Sequence, residues 1–136
     1  MAAEKIENVI ARSPFIAQSF VYGDSLQSQL VAVIVLDPEH MEVWAKKSGV
    51  TTGTDMAAWC ADPKVKAVVM EEVKKASKQA DLKSFEVPRN IYLEAEMFTA
   101  ENGLLTPTFK LKRPVARDNY REQIDVLYAQ LGASKM

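Results

Sequence analysis

Phe15-Ile16-Ala17-Gln18-Ser19-Phe20-Val21-Tyr22, a break at Gly23-Asp24-Ser25, and Leu30-Val31-Ala32-Val33-Ile34-Val35-Leu36 decide the fold of this chain. Both apolar stretches are rich in aromatic and β-branched residues, which pack well on a pleated surface. With a turn signal between them they predict two antiparallel strands, Phe15 to Tyr22 and Gln29 to Leu36. Leu30 to Leu36 carries no polar residue at all, so this strand is expected to be buried on both faces.

Upstream, Ala3 to Arg12 places Ile6, Val9 and Ile10 at helical spacing, and Ser13-Pro14 ends that helix because the residue before a proline is pushed out of helical geometry. Downstream, Pro38 to Ser48 and Asp55 to Ala61 are helical in pattern, carrying Met41, Val43, Trp44, Met56 and Trp59, with Gly49 and Gly53 breaking the connection. The clearest helix begins at Asp62, an N-cap, with Pro63 at its first position and Val65, Val68, Val69, Val73 and Ala76 along one face. Glu71 and Lys75 sit four apart on the other face and add only a few tenths of a kcal/mol, so burial of the valine stripe must hold this helix. Arg89 to Ala95 returns to a strand, Asn102-Gly103 marks a tight hairpin, and Pro114 to Leu131 is a final helix presenting Tyr120, Ile124, Leu127, Tyr128 and Leu131 on one side. Strands and helices alternate without a regular repeat, which predicts an α+β fold: a small mixed or antiparallel sheet with flanking helices.

The 136 residues suffice for a single domain spanning 1–136, and 48% hydrophobic with 26% charged residues is ordinary for a globular chain. Seventeen basic against eighteen acidic residues leave a formal charge of -1, which argues against a nucleic-acid partner. No apolar run nears the roughly 20 residues that cross a bilayer, and no signal-peptide pattern opens the chain. The lone Cys60 excludes an internal disulfide and favours a reducing, cytoplasmic setting. The lone His40 excludes a histidine-rich metal site, so no metal ligands are assigned. Cys60 reads as a small apolar residue near a helix end and His40 as a first-turn helix residue. Phe15, Phe20, Tyr22, Trp44 and Trp59 read as core rather than as a ligand surface, and Lys74, Lys75, Lys78 and Lys83 as a solvated helix face. The first helix starts almost at the first residue, with no leading strand or cap, as if the chain were cut from something longer.

Asn102 to Arg113 reads Asn-Gly-Leu-Leu-Thr-Pro-Thr-Phe-Lys-Leu-Lys-Arg. A turn followed by a proline-fixed extended segment would project Lys110, Lys112 and Arg113 at a strand-to-helix junction, where helical N–H groups also favour anions. A phosphate or carboxylate suits that place, although spacing alone favours a solvated cationic edge.

Two anchors in this sequence resemble a known family. Glu4-Lys5-Ile6-Glu7-Asn8-Val9-Ile10, then Ser13 to Gly23, then Leu30 to Leu36 resemble the opening helix and two strands of the C-terminal lid domain in adenylate-forming enzymes. Gly103-Leu104-Leu105-Thr106-Pro107-Thr108-Phe109-Lys110-Leu111-Lys112-Arg113-Pro114 resembles the closing motif of the eukaryotic-type long-chain fatty acyl-CoA synthetases. The resemblance runs from Glu4 to Leu131. It implies that Lys110 is the lysine that meets the ATP α-phosphate and the substrate carboxylate during adenylation, with Lys112 the other lysine of the motif. Lys112 and Arg113 are then candidates for contacts to phosphate or CoA. The superfamily's wider pattern has glycine before the lysine, where this chain has Phe109. The resemblance further implies a large N-terminal domain as partner, fatty acid, ATP, CoA and magnesium used by the parent enzyme with none bound to this piece alone, and a cytoplasmic location or the cytosolic face of a membrane. The competing reading is a free-standing, non-catalytic module of the same fold that binds a nucleotide or a protein. A short-chain or aryl ligase is a third, disfavoured by the Leu-Leu-Thr-Pro-Thr-Phe-Lys string.

Overall fold

Alternate residues of the central strand face two separate cores in the computed structural model, which describes residues 3–23, 29–48, 56–83 and 86–134. The elements are α1 (Ala3–Ile10), β1 (Ile16–Gly23), β2 (Leu30–Leu36), α2 (Pro38–Ser48), α3 (Met56–Ala61), α4 (Pro63–Gln79), β3 (Asn90–Glu94), α5 (Arg113–Asn119) and α6 (Arg121–Ser134). They form a three-stranded sheet in the order β1-β2-β3. β1 runs antiparallel to β2, as the sequence predicts, while β3 joins the other edge of β2 in parallel, so the sheet is mixed.

Ala32, Ile34 and Leu36 pack with Ile6 and Ile10 of α1, Met41 of α2, Trp59 of α3 and the Val65, Val69 and Val73 stripe of α4. Val31, Val33 and Val35 pack on the opposite face with Phe98, Leu104, Leu105, Tyr120, Ile124 and Leu127. A strand covered on both sides has no polar face to alternate with, which is why β2 is apolar at every position and buried throughout. β3, at the edge, keeps the alternation expected of it: Ile91 and Leu93 are buried, Tyr92 and Glu94 half-buried.

Local signals act as expected at several points. The Asp62 side chain accepts the Lys64 amide at 2.9 Å ahead of α4. Asp37 does the same for the His40 amide at 3.1 Å, and the His40 ring meets Phe15 edge-on at 4.4 Å. Phe15, Phe20 and Trp59 are buried, so these aromatics belong to the core. Cys60 is half-buried near the end of α3.

Four expectations need correction. The final helix is two, α5 and α6, parted at Tyr120, whose buried side chain plugs the second core while its amide still bonds back to Ala116 at 3.0 Å. Glu71 pairs with Lys74, at 3.9 Å, rather than with Lys75. Asn102-Gly103 is a turn with no strand pair across it; the chain folds back on itself further on, between Leu105 and Leu111. The segment at Pro107 is therefore a turn and not an extended arm. The turn expected at Gly23-Asp24-Ser25 lies partly outside the described residues, and Gly49, Gly53 and Asp55 lie wholly outside them. Among the described residues no helix is long and apolar enough to cross a membrane.

Candidate functional site

The basic segment is carried on a small hairpin fastened to the second core. Leu104 and Leu105 are buried, and Leu105 forms an antiparallel bridge with Leu111. The Lys112 amide donates to the Leu104 carbonyl at 2.8 Å and the Thr106 amide to the Lys110 carbonyl at 2.8 Å. Between them Thr106-Pro107-Thr108-Phe109 closes a turn, the Phe109 amide donating to the Thr106 carbonyl at 2.8 Å. Proline suits the second position of such a turn because its φ is already set. Phe109 follows at φ +65°, the left-handed residue that completes a three-residue hairpin loop. That is the position where the wider family pattern has glycine, and glycine takes this geometry freely.

Thr106 is the pin of the loop. Its Oγ1 accepts the Lys110 amide at 3.1 Å and lies 3.0 Å from Thr108 Oγ1. With the Thr106 amide bonded to the Lys110 carbonyl, the backbone of Lys110 is held on both sides while its side chain stands in solvent. Lys112 is also exposed and is the N-cap residue of α5. Among the described residues neither ammonium forms an ion pair.

The loop leading into the hairpin is anchored by side chains that mimic backbone. Gln18 of β1 donates from Nε2 to the Phe98 carbonyl at 3.0 Å and accepts the Phe98 amide on Oε1 at 2.6 Å. Asn102 Oδ1 accepts the amides of Thr99 and Leu104 at 3.1 and 3.2 Å, and Asn102 Nδ2 donates to the Met97 carbonyl at 2.9 Å. Gly103, at φ +82°, turns the chain between Asn102 and the buried leucines.

Arg113 is placed differently from its two basic neighbours. Its Nη1 donates to Glu7 Oε2 at 3.0 Å and its Nη2 to Glu7 Oε1, a bidentate pair across the molecule. The hydrogen bonds it donates to Glu7 raise the guanidinium pKa, partly opposed by burial. Of the three cations expected at the junction, Lys110 and Lys112 project freely and Arg113 is tied to α1. Sequence reasoning missed the supports Glu7, Gln18 and Thr106. For Thr106 a signal existed, since threonine before proline opens turns; Glu7 and Gln18 show none.

Among the described residues no group of three or more His, Cys, Asp or Glu side chains could hold a metal ion. Cys60 faces a recess of about 340 Å3 between β3 and α6, and burial pushes its thiol up to about 11, with Glu94 adding to the rise.

A family model for the AMP-binding enzyme C-terminal domain matches residues 5–97. The chain is 46% identical over 134 residues to long chain acyl-CoA synthetase 6, peroxisomal, of Arabidopsis thaliana, covering 98% of this chain and 19% of that protein. It is 43% identical over 129 residues to human long-chain-fatty-acid--CoA ligase 6, covering 95% and 18%. Among solved structures, the adenylation domain of the carboxylate reductase from Mycobacterium chelonae superposes with a TM-score of 0.77 at 34% identity, covering 95% of this chain and 18% of that one. The adenylation domain of the carboxylic acid reductase from Segniliparus rugosus, in complex with AMP and a co-purified carboxylic acid, gives 0.77 at 35% identity, covering 96% and 18%. The chain thus spans under a fifth of the length of the relatives it matches.

Proposed function

The chain belongs to the AMP-binding enzyme C-terminal domain family, and from that premise we propose that it is the C-terminal lid domain of a long-chain fatty acid–CoA ligase, with Lys110 as the adenylation lysine. In the first step a fatty-acid carboxylate oxygen attacks the α-phosphorus of ATP, the bond to pyrophosphate breaks, and acyl-adenylate forms. In the second the CoA thiolate attacks the acyl carbon and AMP leaves. The first attack brings two anions together. A mobile ammonium set between them screens the repulsion and stabilises charge that develops in the transition state. Lysine, a point charge on a flexible stem, fits that role, and here its backbone is pinned while its head is free.

The observation that carries this reading is the placement of Lys110: an exposed ammonium at the tip of a hairpin stapled to the core, in a chain 43–46% identical to proteins named as acyl-CoA ligases. The large N-terminal domain supplies the nucleotide pocket, the acyl tunnel and the magnesium ligands, and the lid turns against it between the two steps, withdrawing the lysine so that CoA can enter. Lys112, exposed two residues on, contributes positive charge towards phosphate or CoA, whereas Arg113, expected to do the same, has its charge met by Glu7 and serves to hold the hairpin's base.

The test is Lys110→Ala in the full-length parent, each half-reaction measured alone. Pyrophosphate release should slow by about a hundredfold or more, while CoA transfer from preformed acyl-adenylate stays near wild type. Equal losses in both steps would overturn the assignment. Residues 1–136 alone, given ATP, CoA and palmitate, should show no turnover above blank.

A further inference from the structure

Phe109 is the residue that the fold itself leaves unexplained. Its φ of +65° lies in the left-handed region that L side chains avoid, and the residue is 78% exposed, so among the described residues little packs on it to offset the strain. A glycine there would relax the backbone and remove a bare aromatic from water. The neighbouring leucines, Leu105 and Leu111, point the other way in function: they fasten the hairpin to the core, and Thr106 fixes the turn. The result is a pinned stem presenting one apolar ring on the residue that precedes Lys110.

We propose, resting on the lid reading above, that Phe109 is a positioning residue for adenylation: its ring seats in an apolar recess of the large domain, and that contact sets Lys110 beside the reacting anions. The occupant follows from the chain lengths: relatives carry more than four-fifths of their sequence outside the part matched here, and on the lid reading the groups Lys110 must reach lie in that remainder. An ammonium on a four-carbon stem does not orient a hairpin by itself; a buried ring beside it does, being large and stiff. Burial on closure supplies what the strained, exposed ring lacks in the isolated domain, so the conformation is preorganised for docking.

The experiment uses the full-length parent with Phe109→Gly, Phe109→Asn and Phe109→Leu, assaying pyrophosphate release and, separately, CoA transfer from preformed acyl-adenylate. Gly and Asn both accept the left-handed backbone and lack the ring, so each should slow adenylation by roughly tenfold or more while CoA transfer stays within about twofold. Leu, apolar but aliphatic, should restore most of the lost rate. The Gly variant should melt no lower than wild type, which separates a docking defect from misfolding. Wild-type adenylation by the Gly and Asn variants overturns the inference, as does equal loss in both steps. A change in sedimentation with adenylation intact overturns it too, by giving the ring to a contact between copies. If Lys110→Ala slows adenylation and Phe109→Gly does not, only this inference fails; if Lys110→Ala has no effect, the assignment of Lys110 on which this inference rests fails with it.

Discussion

Arg113 and Glu7, 106 positions apart, close a bidentate ion pair that joins the first residue of α5 to the middle of α1. The same Glu7 Oε2 accepts the amide of Val21, a buried residue of β1, at 2.7 Å. One carboxylate therefore holds three elements, and it does so immediately after Lys112. The hairpin is bounded by the Leu105–Leu111 bridge on one side and by this pair on the other, so Lys110 stands on a fixed base.

Glu7→Ala should be among the more damaging single changes outside the core. It leaves the Val21 amide buried without an acceptor and the Arg113 guanidinium without its bidentate partner, with, among the described residues, only the charge of Glu4 acting on it, a loss of about 1–3 kcal/mol. In a domain of this size the melting temperature should fall by roughly 4–10 °C. Arg113→Lys keeps the charge but not the planar fork, and should fall between wild type and Glu7→Ala. Thermal melts followed by circular dichroism decide; a Glu7→Ala variant melting with the wild type would show that the pair contributes nothing to stability.

Lys110 and Lys112 are both exposed, and removing either head should change the stability of the domain by no more than about 0.5 kcal/mol. Their catalytic consequences should part. In the parent enzyme Lys110→Ala should abolish most of the adenylation rate, whereas Lys112→Ala should raise the KM for ATP or CoA with a smaller effect on kcat. The reverse pattern would move the adenylation role to Lys112.

Thr106→Val removes the hydroxyl that receives the Lys110 amide while keeping the shape of the side chain. The Thr106 backbone bonds remain, so the hairpin should persist and global stability should drop by only about 0.5–1.5 kcal/mol. Hydrogen exchange at the Lys110 amide should quicken markedly, with little change at Leu104 or Lys112. Unaltered exchange at Lys110 would show that the turn is held by its backbone alone.

What was legible in the sequence is what depends on neighbours. The all-apolar run of β2, the Asp62 cap and the valine stripe of α4 are local patterns, and each produced its element. The break at Tyr120 was not legible because the apolar side continues through it: Tyr120, Ile124 and Leu127 fall on one side whether the helix is continuous or not. The hairpin was displaced to Asn102-Gly103 because that dipeptide is a strong turn signal, whereas the turn that pairs Leu105 with Leu111 uses Thr106-Pro107 and a phenylalanine in a conformation that sequence rules assign to glycine. The parallel pairing of β3 and the Glu7–Arg113 pair are long-range, and no local pattern encodes them. At the candidate site, therefore, the charged residues could be read directly but not the atoms that hold them.

Cys60 provides a check that is independent of catalysis. Its thiol is half-buried at the end of α3, facing a recess between β3 and α6, and burial together with the nearby Glu94 carboxylate pushes its pKa up to about 11. Both causes act against the thiolate, which is the form that reacts with alkylating agents. The folded chain at pH 8 should therefore hold roughly a hundredfold less thiolate than the unfolded chain, and react with iodoacetamide correspondingly slower. Because the folded pKa is raised, folding is favoured fully below the unfolded thiol's pKa, and this contribution is lost as the pH rises from there through about 11. Replacing Cys60 with alanine should remove that part of the alkaline slope. Glu94→Gln takes away the smaller of the two causes and should speed alkylation modestly, leaving burial as the main restraint. A thiol that reacts in the native protein as fast as in denaturant would mean that the recess admits water to Cys60 and that burial does not govern its chemistry.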